Sequence, residues 1–127
     1  MLKKVFNTPD AVIVGPYSQA VESGNLIYFS GQIPLDAATG KLIEGDISAQ
    51  TEQCFKNLLK VLTFADLTTD NIVKVTVFLT DMNDYASVNN VYAKYFSSPY
   101  PARTAVAVTA LPLGSKVEIE VIAQKPL

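Results

Sequence analysis

Apolar residues recur along the chain with two periods, and the change of period marks the elements. Leu26–Phe29, within NLIYFSGQIP, is a short aromatic and branched run after a Ser23-Gly24-Asn25 turn, which predicts a strand. Ser18–Val21, ahead of that turn, is placed to pair with it as a hairpin, and Lys3–Phe6 reads as a further short strand. DAATGKLIEGD, residues 36–46, is dense in Gly, Asp and Thr and predicts a loop. From Asp46 to about Ala65 the spacing becomes helical. Ile47, Cys54, Phe55, Leu58, Leu62 and Ala65 form one apolar stripe, with Asp46 as the N-cap.

The run 71–81, NIVKVTVFLTD, is dominated by β-branched residues and predicts a long strand. Helical spacing returns over Met82–Phe96, where Met82, Tyr85, Val88, Tyr92 and Tyr95 or Phe96 share a side. Two strands follow, ARTAVAVTAL and KVEIEVIAQ, joined by the turn Pro112-Leu113-Gly114-Ser115. The order ββ-α-β-α-ββ predicts an α+β domain: a mixed sheet with two helices on one face. Residues 1–127 form one domain, without repeat or linker. The short turn predicts that the last two strands are antiparallel neighbours.

Composition changes the picture in one respect. The chain is 49% hydrophobic and 17% charged, against about 25% charged in an ordinary soluble domain. Few charges for so much surface predict that the helix-free face is covered by further copies of the chain. The net charge is −2 and the lysines are scattered, so nucleic acid is not expected as the main partner. No stretch approaches the roughly 20 apolar residues of a membrane span. With no signal-peptide pattern and one cysteine, a cytoplasmic location is expected.

The chemistry is bounded by absences. Histidine is missing, which removes the usual general base and the commonest zinc ligand together. With one cysteine besides, no zinc site is expected, and no nucleotide-phosphate loop motif is present. Cys54 lies on the first helix's apolar stripe and reads as a buried small hydrophobe.

One position stands out: Arg103 is the only arginine, in a chain with nine lysines. Alternation puts Arg103, Ala105, Ala107 and Thr109 on one strand face and Thr104, Val106, Val108 and Ala110 on the other. The second set is a plain core pattern. The first leaves room beside a guanidinium, whose planar fork grips a carboxylate with two parallel hydrogen bonds as lysine cannot. The competing reading is an internal Arg–Glu bridge, for Glu118 and Glu120 share a face of the next strand. Periodicity does not choose between those two glutamates.

GPYSQA, then SGQIP, VKVTVFLTDMNDYASVN, PYPARTAV and VEIEVIA, in that order and spacing, resemble the Rid (YjgF) family of enamine/imine deaminases. The resemblance spans nearly the whole chain. It implies a chorismate-mutase-like fold of about six strands, assembled as a homotrimer around a central sheet barrel with interfacial sites. By position it assigns Arg103 to the substrate carboxylate and Glu118 to the attacking water. Tyr17, Ser30 and Gly31 would line the pocket, with Asn89 nearby. The implied substrates are imines derived from 2-aminoacrylate and 2-aminocrotonate, hydrolysed without a cofactor to 2-oxo acids and ammonia. One position departs from the pattern: Ala105 stands where many members carry cysteine, leaving only a backbone carbonyl to contribute. Two other readings stay open, a non-catalytic 2-oxo-acid binder and a ribonuclease or translation inhibitor.

Overall fold

The computed structural model describes residues 3–126. Six strands form one mixed sheet: β1 (Lys4–Phe6), β2 (Ala20–Ser23), β3 (Leu26–Gln32), β6 (Ile72–Leu79), β7 (Ala102–Ala107) and β8 (Val117–Gln124). Their order across the sheet is β1-β2-β3-β8-β6-β7. Helices α1 (Ile47–Phe64) and α2 (Tyr85–Tyr92) lie together against one face. The fold is the α+β arrangement predicted by the change of period.

The elements form for local reasons. Asp46 caps α1 by accepting from the Ala49 N–H at 2.9 Å, as its position predicts. The α1 stripe buries Cys54, Phe55, Leu58 and Leu62, with Ile47 and Ala65 packed at its ends. From Val75 onward in β6, past an irregularity at Ile72–Lys74, and throughout β8 the alternation is strict. Val75, Val77 and Leu79, and Val117, Ile119, Val121 and Ala123, face the helices and are buried. The other face carries Phe78, Glu118, Glu120 and Ile122.

Three expectations need correction. The 36–46 loop contains a small hairpin of β4 (Leu35–Asp36) and β5 (Lys41–Leu42), turning through Gly40 at φ +69°. The second helix is shorter than its apolar spacing: Met82–Asp84 is a single 3₁₀ turn capped by Asp81, and α2 ends at Tyr92. The largest difference is in the sheet. β7 does not pair with β8; it runs parallel to β6, and β6 pairs antiparallel with β8. α2 is the crossover that parallel neighbours require, so β6-α2-β7 is a βαβ unit.

That pairing also reverses the reading of the β7 faces. Arg103 registers with Val75 and Ala105 with Val77, so the Arg103 set points to the helices. Thr104 and Val106 are exposed on the helix-free face. β7 is an edge strand, and its small residues admit α2.

Phe55 ties the helices together. Its ring stacks on Tyr95 at 4.4 Å and meets the edges of Tyr92 and Phe96 at about 6 Å. Phe55 is fully buried, so truncation to alanine leaves a cavity among these rings. Phe55→Ala should lose about 3–5 kcal/mol of stability, read from denaturant unfolding at fixed protein concentration.

Candidate functional site

The residues singled out by the sequence fall into two clusters. The first surrounds Arg103. Tyr85, Asn89 and Tyr92 stand at spacings of four and three on α2, which puts all three on the helix side that overlooks β7. Arg103 Nη1 donates to Asn89 Oδ1 at 2.6 Å and Nη2 donates to the Tyr85 hydroxyl at 2.9 Å. The guanidinium lies over the Tyr92 ring at 4.7 Å and near the Tyr85 ring at 5.6 Å. Ala105, next along the face, packs against the core.

No carboxylate balances this charge. Every ion pair among the described residues uses a lysine: Lys4 and Lys125 on Glu22, Lys60 on Asp10 and Lys94 on Glu52. The internal Arg–Glu bridge is therefore excluded within the chain. Arg103 is held by neutral oxygens and aromatic faces, which fix the fork without neutralising it.

The second cluster surrounds Glu118. Between Phe29 and Gln32 the β3–β8 register slips, so Ser30 and Gly31 form a bulge where β8 has Glu120 alone. Glu118 lies across Gly31 so closely that a Cβ there would sit 2.6 Å from its Oε2. Glycine serves here as clearance, not for φ. The Ser30 hydroxyl donates to the Ser18 carbonyl at 2.6 Å. With Tyr17, Val14 and Pro112, these residues line a cavity of about 260 Å³. Glu120 faces the same side of the sheet but lies outside this cavity, beside Tyr28 and Lys74. The structure thus separates the two glutamates that periodicity could not.

Burial, and secondarily the like charge of Glu120, raise the Glu118 carboxyl above its ordinary value. Burial also raises Tyr92, against the opposing pull of Arg103. Cys54 is buried and its thiol is pushed up by desolvation, so it is inert as a nucleophile.

Within one chain the clusters do not meet. Arg103 registers with Val75 on the helix side, whereas Glu118 registers with Phe78 on the open side. Tyr17, Ser30, Gly31 and Glu118 are brought together, as are Arg103, Asn89 and Ala105. The antiparallel reach expected between the last two strands is absent. Tyr85 and Tyr92 are additions, hidden because a tyrosine in an apolar stripe reads as core. Their spacing with Asn89 is the signal that could have found them.

The family model described as Endoribonuclease L-PSP matches residues 8–125. The chain belongs to the Rid (YjgF) family. Mouse 2-iminobutanoate/2-iminopropanoate deaminase is 47% identical over 124 residues, 97% of this chain and 92% of that one. A RutC family protein of Pyrococcus horikoshii is 46% identical over 125 residues, covering 98% and 99%. The crystal structure of RidA from an Antarctic Psychrobacter species superposes with a TM-score of 0.90 at 45% identity, covering 95% of this chain and 98% of that one. Relatives of similar identity thus carry different names, so the Rid assignment carries the fold ahead of any one reaction.

Two outcomes follow for this Rid protein. Gly31→Ala should displace the Glu118 carboxylate while leaving the fold intact, lowering any Glu118-dependent turnover at an unchanged thermal midpoint. The raised Glu118 carboxyl means the folded chain holds its proton to higher pH than the unfolded chain, so this group costs stability as pH rises through its titration. Glu120→Gln removes the like charge. It should therefore move the Glu118 titration, followed by NMR of the carboxyl carbon, to lower pH.

Proposed function

We propose that this protein is an imine deaminase whose sites form between copies of the chain. The observation that carries the reading is the divided site. A fixed arginine with no carboxylate partner stands on one face of the sheet, and a raised carboxyl in a cavity stands on the other. A neighbouring copy, bringing its Arg103 to the Glu118 cavity, makes one complete site from the two halves. The helix-free face offers Tyr28, Phe78, Val106 and Ile122 for such packing. A closed ring of three copies, as the Rid resemblance implies, repeats the junction three times.

The chemistry suits the groups. Arg103 grips the substrate carboxylate and orients a carbon already electrophilic as an imine. Glu118 in its charged form takes a proton from water as oxygen bonds to that carbon. It returns the proton to nitrogen to give a carbinolamine, then carries the hydroxyl proton to the same nitrogen, so that the C–N bond breaks as the carbonyl forms, releasing ammonia and a 2-oxo acid. A carboxyl raised toward neutrality is suited to both steps. Tyr17, Ser30 and Gly31 shape the cavity, and Asn89 holds Arg103. The mouse relative's name supports small imines of 2-oxobutanoate and pyruvate as substrates.

The family model's description also raises ribonuclease activity. Nothing in the charge distribution favours it. Four lysines are engaged by carboxylates, and the net charge is −2.

Light scattering should give about three times the 13.8 kDa chain mass. In a coupled assay that generates imine from threonine, Arg103→Ala should lose roughly 30- to 4,000-fold in kcat/KM, from the 2–5 kcal/mol of an unpaired charge. Arg103→Lys should recover only part, and Glu118→Gln should lower kcat while 2-oxobutanoate still binds. The decisive measurement mixes Arg103→Ala with Glu118→Gln chains by co-refolding. Shared sites restore activity in about a quarter of the junctions. Recovery of none would sink the interfacial reading, and an active monomer would sink the assembly.

A further inference from the structure

We propose that the Tyr85 hydroxyl is a ligand-binding group of the carboxylate site, beside Arg103. This rests on the reading of Arg103 as a carboxylate grip and names a further donor for the same anion. Tyr85 opens α2, 37% exposed, where its ring covers little core and its hydroxyl stands at the edge of the guanidinium. The hydroxyl oxygen accepts from Arg103 Nη2 at 2.9 Å. Its own hydrogen makes no bond among the described residues. A phenol that accepts from a cation becomes a better donor through the same oxygen, because hydrogen bonds in series polarise one another.

The count of donors points the same way. A guanidinium has five N–H groups. Asn89 and Tyr85 each take one from a different terminal nitrogen, which leaves three, of which a carboxylate needs two. An anion bonded on the Nη2 side lies within reach of the Tyr85 O–H as well. Asn89 differs in kind: its Oδ1 only accepts, so it anchors Arg103 and offers that anchor nothing to hand on. Tyr92 lies under the guanidinium face and is buried, away from the donor edge. Of the three α2 side chains on Arg103, Tyr85 alone accepts from the guanidinium through an oxygen that carries a hydrogen of its own.

Tyr85→Phe keeps the ring and removes the hydroxyl. Isothermal titration with 2-oxobutanoate as the probe should show affinity reduced roughly tenfold, the scale of one hydrogen bond to a charged group. KM for the imine should rise by about that factor, kcat should change by less, and the thermal midpoint should hold. Binding of 2-oxobutanamide, which has no carboxylate, should be equal in the two proteins. A lowered midpoint with equal loss for both probes would make the hydroxyl merely structural and overturn the inference. Parent-like affinity of Tyr85→Phe for 2-oxobutanoate, while Arg103→Ala abolishes binding, overturns it and leaves the carboxylate reading standing. Parent-like affinity of Arg103→Ala overturns the carboxylate reading itself.

Discussion

A single guanidinium with no counter-charge organises the chemically interesting half of this fold. Holding a cation in place at a partly buried edge costs desolvation, and a carboxylate partner is the usual compensation. Here Asn89, Tyr85 and the Tyr92 face supply it in neutral form. The cation is thereby positioned yet keeps its full charge. The support runs deep: Tyr92 leans on Phe55 and stacks on Phe96, and Phe55 is buried at the centre of the core. Core packing therefore reaches the fork through one layer of aromatic rings.

The same arginine explains the topology's importance. Were β7 the hairpin partner of β8, Arg103 and the glutamates would be neighbours and could neutralise each other. The βαβ crossover instead places β6 between them and turns Arg103 toward α2. A hairpin would have produced an internal salt bridge; the crossover produces two incomplete halves on opposite faces. The proposed function completes each half from a second copy, and the sparse surface charge is the sequence feature that supports that proposal.

Legibility in the sequence followed the range of the interactions. Period gave the strands, the α1 stripe and its Asp46 cap, because these are decided within a few residues. The β7–β8 neighbourhood was misread because a short turn is a local signal. β6, about forty residues upstream in sequence, takes the place between them through pairing that no local signal carries. Alternation correctly divided β7 into two faces but could not say which one a helix would cover. Tyr85 counts as apolar by its spacing, whereas more than a third of it is exposed and its hydroxyl is engaged. Tyr17, Ser30, Gly31 and Glu118 were gathered by motif resemblance, since the bulge that joins them is a property of pairing.

Glu118 shows how assembly and chemistry become one problem. In the single chain its carboxyl is half-buried and already raised, with Glu120 adding a smaller push. In the proposed assembly a second copy closing over the cavity would remove more water and raise it further, whereas the arriving Arg103 would favour the charged form and lower it. The two effects oppose each other at the same junction, so the carboxyl's final affinity for protons depends on how closely the arginine approaches. Substrate enters that balance directly. On the proposed reading its carboxylate offsets the charge of Arg103 from binding onward and weakens the lowering influence, which makes the charged Glu118 a stronger base toward water.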